Sequence, residues 1–147
     1  MKKIIFLIFI SVLSLTALPV CASSDQIPPV LKNGFDSYQK EGAKAAIEAW
    51  TKGSGVEGSR EALSQANNFK QIEDFYGKYI GYELVEQNSI SERSSVCLID
   101  IFFEKGNVFS KFFLYKKPDG QIVVTTFNFH TNAEAIWPKC SIFQNEK

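Results

Sequence analysis

Three runs rich in β-branched and aromatic residues dominate the second half of the chain, and residues of these types favour strands. The runs cover residues 94–105, 108–116 and 121–131. Gly106-Asn107 lies between the first two, and Lys117-Pro118-Asp119-Gly120, which suits a type I turn, lies between the last two. After Gly81, residues 82–90 alternate between apolar and polar types. The pattern therefore predicts four strands in an antiparallel meander.

The first half of the chain carries apolar residues at helical spacing, in three stripes. Pro28-Pro29 suits the first turn of a helix, Glu41-Gly42 interrupts it, and the glycine-rich residues 53–58 form a loop before the third helix. Ser59 is a suitable N-cap for that helix. The stripes are Leu31, Phe35 and Tyr38; Ala43, Ala46, Ile47 and Trp50; and Leu63, Ala66, Phe69, Ile72 and Tyr76.

Three helices followed by four strands predict an α+β fold, with the helices packed on one face of the antiparallel sheet. Strand alternation assigns each side chain to a face. In the second strand, Ile99 and Asp100 take opposite faces. In the fourth, Val123 shares a face with Phe127, and Val124 lies on the other face. One face is apolar throughout, and the other mixes apolar and polar residues.

This arrangement resembles the NTF2-like (cystatin-like α+β cone) superfamily over about residues 27–138. The resemblance rests on the order of the elements and on four local runs, which are similar to small exported bacterial members of unknown role. The runs are Tyr79-Ile-Gly-Tyr-Glu-Leu, Phe103-Glu-Lys-Gly, Tyr115-Lys-Lys-Pro-Asp-Gly and Phe127-Asn-Phe-His-Thr. It implies three helices on a curved four-stranded sheet that enclose a pocket. In different members that pocket binds small molecules, catalyses isomerisation or hydration, or is filled by side chains. Many members dimerise through the outer face of the sheet.

Residues 1–22 have the pattern of a signal peptide, which leaves residues 23–147 as a single domain. Met1-Lys2-Lys3 is basic, residues 4–18 are largely apolar, and Val20-Cys21-Ala22 suits cleavage before Ser23. The apolar run of about 15 residues is short for a membrane span. Lipid attachment at Cys21 is an alternative, although lipoprotein signals favour a small residue where Val20 stands. The pattern predicts a periplasmic or secreted protein.

Cleavage would leave a slightly acidic chain with two cysteines. Without Lys2 and Lys3, the 16 basic residues become 14 against 16 acidic ones, a net charge near −2 that argues against nucleic acid as a partner. An even pair in an exported protein, Cys97 and Cys140, predicts a disulfide. It would close a loop of about 44 residues and stabilise the fold by roughly 4 kcal/mol. Two separate thiols, with Cys97 buried in the sheet, are the alternative.

Asp100 and His130 are the candidate catalytic residues. Asp100 is an acid embedded among apolar neighbours, where burial would raise its pKa towards that of a useful base. His130, the single histidine, ends the last strand and would be the partner of that base or a proton donor. This hypothesis describes a small isomerase, dehydratase or hydrolase. The alternative pairs Asp100 with Lys111 or solvent and leaves His130 on the surface.

A binding function is the preferred interpretation. The resemblance implies a cone pocket, and we place Trp50, Phe69 and Tyr76 in its lining. Aromatic side chains of this kind also fill a core or form a dimer face, and that alternative stays open. No cofactor is predicted, and the histidine and cysteine content offers no metal-ligand spacing. We therefore expect a non-enzymatic domain for a small apolar ligand or a protein partner, including a homodimer through the sheet face.

Overall fold

The computed structural model describes residues 26–142 of the chain. The signal-peptide and lipidation predictions concern residues 1–22 and lie outside this range. The elements are α1 (Pro29–Glu41), α2 (Ala43–Thr51), α3 (Arg60–Tyr76), β1 (Tyr79–Ser89), β2 (Ser94–Phe103), β3 (Gly106–Lys116), β4 (Ile122–His130), a 3-10 turn (Ala133–Ala135) and α4 (Lys139–Ile142). The strands form one antiparallel sheet in the order β1-β2-β3-β4. The predicted α+β class, with helices before a four-stranded antiparallel sheet, is confirmed; the turn after β4 and α4 were not predicted.

Local signals set the ends of the first three helices. Pro28 precedes α1, and Gly42 ends it with φ 88° and ψ −175°, a conformation essentially restricted to glycine. The Ser59 hydroxyl caps α3 by accepting from the Ala62 N–H at 3.1 Å. Two details of α3 differ from prediction. Ala62 faces the core instead of Leu63, which is 51 % exposed, and the helix ends at Gly77 rather than at Gly81.

The turn between β2 and β3 lies two residues earlier than predicted. Phe103 pairs with Gly106, so Glu104 and Lys105 form the turn and Gly106-Asn107 belongs to β3. Contacts outside the hairpin stabilise this position, because the Glu104 N–H donates to the Lys78 carbonyl at 3.0 Å and the Lys105 N–H donates to the Tyr76 carbonyl at 2.8 Å. The hairpin tip is thus hydrogen-bonded to the joint between α3 and β1.

The turn between β3 and β4 lies where the sequence predicts it. The Gly120 N–H donates to the Lys117 carbonyl at 2.9 Å, and Gly120 has φ 87°. A register shift then interrupts the β3–β4 pairing, since Phe113 pairs with Thr126 and Leu114 with Val124. Because the bulge inserts one extra residue into β4, Val124 lies in the core together with Phe127, and the prediction that Val123 shares the face of Phe127 is wrong.

The core lies between the helices and the sheet face that carries Ile99 and Phe112. Its largest fully buried side chains include Leu31, Phe35, Trp50, Phe69, Ile99 and Phe112. The indole of Trp50 lies at the centre, and its N–H donates to the Leu31 carbonyl at 3.0 Å. Burying a large apolar side chain stabilises a protein by about 1.5–3 kcal/mol, so this cluster dominates the stability of the fold.

Residues 133–142, the C-terminal segment, cover part of the opposite face of the sheet. The Trp137 indole N–H donates to the Ser110 carbonyl at 2.9 Å, and its ring packs edge-on against Phe109 at 4.9 Å. The Ser141 hydroxyl hydrogen-bonds the Glu86 carboxylate. Leu98, which alternates with core residues and so faces outward, is only 3 % exposed. The outer face predicted as a dimer surface is therefore partly occupied by the chain itself.

Candidate functional site

The three residues predicted to line a pocket do not share one. Trp50 and Phe69 are fully buried in the core, where their ring centroids lie 6.1 Å apart. Phe112 packs against Trp50 with centroids 5.0 Å apart. Tyr76 is half-buried, and lines a recess at the C-terminal end of α3 instead. Aromatic side chains thus occupy the space around Trp50 in which the sequence placed a ligand.

Asp100 and His130 lie on the outer face of the sheet and are not brought together. Asp100 pairs with Phe109 on β3, and Phe109 pairs with His130 on β4. A whole strand therefore separates them, which corresponds to about 10 Å between their backbones. The proposed general base and its histidine partner do not form a pair in this structure.

Each of the two residues is engaged locally. Both oxygens of Asp100 accept from the Asn107 side-chain amide, at 2.8 and 3.0 Å. Burial raises the pKa of Asp100, and the hydrogen bonds from Asn107 oppose that shift. His130 accepts the Asn132 N–H on its Nδ1 at 2.9 Å, which stabilises the turn after β4. Asn107 is thus the partner of Asp100, and Lys111 is not.

The predicted disulfide is not formed, and Cys97 and Cys140 are both free. Cys97 belongs to the core cluster on the helix-facing side of β2. Cys140 is exposed on α4, whose neighbour Ser141 contacts Glu86 on the outer side of the sheet. Because the sheet lies between the two thiols, they cannot bond without disrupting it. Burial raises the pKa of Cys97 to about 12.

We expect the two thiols to react at very different rates with iodoacetamide at pH 8. Alkylation requires a thiolate, and Cys97 is both buried and held protonated, whereas Cys140 is accessible. Mass spectrometry of a chain without residues 1–22 should show one modification in the native protein and two after unfolding. In Cys140→Ser, labelling should appear only after unfolding. A chain that takes up no label even when unfolded without reductant would establish the disulfide instead.

A recess lies between α3 and the free edge of β4, and we call it the α3–β4 recess. Its volume is about 240 Å³, and its lining consists of Thr51, Val56, Glu61, Ala62, Gln65, Thr125, Thr126, Phe127 and Asn128. Consecutive strand residues point to opposite faces, so contact with four in a row places the recess along the backbone edge of β4. The edge strand therefore forms one wall and α3 the other.

The α3 wall carries two hydrogen-bond acceptors beside apolar groups. Glu61 and Gln65 are four residues apart and share a face of the helix. Among residues 26–142, the Gln65 side-chain oxygen is one of two buried side-chain polar atoms without a hydrogen-bond partner. Val56, Ala62 and Phe127 supply the apolar surface. The recess is thus suited to a small apolar group that carries a hydrogen-bond donor.

A second recess of about 420 Å³ lies beside the same strand, at the C-terminal end of α3. Ile72, Phe75 and Tyr76 contribute its helix wall, and Phe129 contributes from β4. Phe75 is 74 % exposed, the largest exposed fraction among the big apolar side chains that the structure describes. Apolar surface is therefore available along β4 at both ends of α3.

The sequence does not single out Gln65. It lies three residues after Ala62 and four before Phe69, so a sequence pattern places it only at the edge of the apolar stripe of α3. Its burial depends on how the 53–58 loop and β4 meet α3, which is a tertiary contact. A polar residue so near an apolar stripe is the only signal, and it is a weak one.

Residues 26–142 contain no group of three histidine, cysteine, aspartate or glutamate side chains arranged to hold a metal ion. Within the same range, no helix is long and apolar enough to cross a membrane. Comparison with protein-family models, curated proteins and solved structures gave no match.

Proposed function

We propose that this protein is an exported, non-enzymatic binding domain of the NTF2-like kind, with the α3–β4 recess as its ligand site. The N-terminal pattern of residues 1–22 supports export. The order of three helices and a four-stranded meander supports the superfamily. The ligand is small and mainly apolar, and it carries an N–H or O–H group.

The buried, unpartnered oxygen of Gln65 is the observation that carries this proposal. A buried acceptor without a partner costs about 1–3 kcal/mol. An apolar side chain in place of Gln65 would therefore make the free protein more stable. Rotation about the last side-chain bond of Gln65 is soft and would turn its oxygen towards a donor in the recess. A ligand that supplies the donor recovers the lost hydrogen bond.

A binding role also suits the surroundings of the other candidates. Asp100 and His130 lie on separate strands outside the recess, and each already has a local partner. Homodimerisation through the outer face of the sheet stays a prediction, with less free area because Trp137 packs on that face. A net charge near −2 without residues 1–22 supports ligands other than nucleic acid.

Benzyl alcohol and anisole provide a direct test, because they are isomers and only benzyl alcohol has a donor. We expect saturation-transfer NMR to show benzyl alcohol binding about fivefold more tightly, since one hydrogen bond contributes about 1 kcal/mol. In Gln65→Met, which keeps the side-chain length and removes the acceptor, the two should bind alike. The control Ser64→Met changes an exposed neighbour outside the recess and should keep the preference.

The same variant tests the stability of the free protein. We expect Gln65→Met to raise the free energy of unfolding by about 1 kcal/mol, because it removes the unpartnered oxygen. Equal binding of the two isomers by the native chain, or a preference that survives in Gln65→Met, would contradict the proposed site. Native mass spectrometry of the exported protein would then identify any molecule it retains elsewhere.

A further inference from the structure

The two edges of the sheet differ in how they resist pairing with another strand. On β1, Glu83 and Glu86 carry charge, Gly81 interrupts the strand, and two register shifts distort it. Charges, glycine and irregular pairing are the features by which edge strands avoid associating. The β4 edge, Ile122–His130, contains no lysine, arginine, aspartate, glutamate, glycine or proline. The chain therefore protects one edge and leaves the other available.

The composition of β4 suits pairing with its own copy. Its nine residues are β-branched or aromatic, apart from Asn128 and His130, and such segments have a strong tendency to form additional strand pairs. In an antiparallel pair about a two-fold axis, each residue lies opposite a residue of the same strand, and a residue on the axis lies opposite its own copy, so charges of one sign on the strand would lie close to like charges. β4 carries no lysine, arginine, aspartate or glutamate that would cause such repulsion.

We propose that β4 pairs antiparallel with β4 of a second copy, joining the two four-stranded sheets into one. Residues 126–130 follow the bulge and offer the regular stretch that a two-fold pair requires. Exposed apolar surface lies beside this edge, because Phe75 lines a recess together with Phe129 and Thr131. Pairing would remove part of that surface from water and satisfy the backbone groups on the edge.

Pairing at this edge would also place the second copy over the α3–β4 recess, whose wall is the backbone of Thr125 to Asn128. The dimer forms without a ligand. Sedimentation in the absence of ligand therefore measures the pairing alone. This dimer differs from one through the sheet face. It uses the backbone edge of β4 and leaves the contact between Trp137 and Phe109 in place.

Sedimentation equilibrium of the purified protein, expressed from the full-length chain, tests the pairing. The double variant Thr126→Glu/Asn128→Glu introduces two exposed acids on the β4 edge, and the glutamate at 128 lies opposite Lys111, which favours the fold of the single chain. The control Gln87→Glu/Ser89→Glu adds the same charge to β1, also at exposed positions. We expect a monomer–dimer equilibrium whose dissociation constant rises at least tenfold in the β4 variant and less than twofold in the control.

Two results would overturn this pairing. One is a native chain that stays monomeric at millimolar concentration. The other is a dimer that the β4 glutamates leave unchanged, which would place the contact on the sheet face or on β1. Thermal melting of both variants at low concentration verifies that the single chain still folds. A dissociation constant of the dimer that is unchanged in Gln65→Met would separate the pairing from the ligand site, because that variant removes the acceptor in the recess and leaves β4 as it is.

Discussion

Replacing Gly34 with alanine is expected to destabilise the protein by about 3 kcal/mol or more, at the upper end of overpacking effects. A Cβ at this position would overlap the indole ring of Trp50. The ring has no room to withdraw, because Phe35 and Phe112 pack against it edge-on with centroids 4.9 and 5.0 Å away. Moving it would also break the hydrogen bond from its N–H to the Leu31 carbonyl. Helix propensity alone would favour alanine, so packing determines the sign.

Urea unfolding monitored by circular dichroism would measure this effect. Gly55→Ala is the matched control, because a Cβ there meets nothing within 4 Å and its backbone φ is not positive. We expect that variant to stay within about 0.5 kcal/mol of the native chain. Adding Trp50→Phe to Gly34→Ala should recover part of the loss, since a smaller ring vacates space. If Gly34→Ala unfolds at the same urea midpoint as the native chain, the space beside Trp50 accommodates a methyl group and the expected clash does not occur.

Replacing Trp137 with alanine is expected to release the C-terminal segment from the sheet. Truncating a buried tryptophan costs about 3–5 kcal/mol, and here the loss acts on a segment held by few other contacts. The edge-on contact with Phe109 and the hydrogen bond to the Ser110 carbonyl both disappear. Hydrogen exchange should show protection of residues 133–142 falling at least a hundredfold, while α1 to α3 keep theirs. Trp137→Phe, which keeps a ring and loses only the N–H, should lose much less.

Low pH should weaken the attachment of the C-terminal segment to the sheet, because Glu86 would become protonated. Hydrogen bonds from Ser141 and Asn88 hold the pKa of Glu86 below its ordinary range. A carboxyl with a lowered pKa in the folded state contributes stability above the ordinary glutamate value, about 4.3, which is lost as the pH falls through the folded-state pKa. The protection factors of α4, which correct for the intrinsic pH dependence of amide exchange, should therefore fall at low pH, and Glu86→Gln should remove that fall. An equal fall in both proteins would assign it to another group.

The sequence predicts the parts of this fold that local chemistry determines. Pro28-Pro29 and Ser59 start helices, Gly42 ends one, and Pro118 and Gly120 lie in a turn, because each acts through its own backbone or nearest neighbours. The prediction fails where contacts between residues far apart in sequence determine the local structure. The β2–β3 turn lies at Glu104 because the Lys78 carbonyl accepts its N–H. A bulge that strand alternation cannot reveal exchanges Val123 and Val124 between faces.

The candidate site is less predictable than the fold for the same reason. Asp100 has the sequence environment of a buried base, yet its oxygens bind Asn107, seven residues along the chain in the next strand. Trp50 is a residue type that often lines ligand pockets, but here it fills the core. Gln65 acquires its role only when β4 comes beside α3. Residue type indicates what a side chain can do, and the neighbours that restrict it become visible only in three dimensions.

The hydrogen bonds from the Glu104–Lys105 turn to the α3–β1 joint have a practical consequence for labelling the protein. Hairpin turns usually accept inserted tags, because their backbone is free. This one is not free, since its two N–H groups supply the partners of the Tyr76 and Lys78 carbonyls. An insertion there would loosen the end of α3 along with the hairpin. The turn at Pro118 and Asp119 bonds only within itself and to Gln121, which makes it the better place for a fluorophore or an affinity tag.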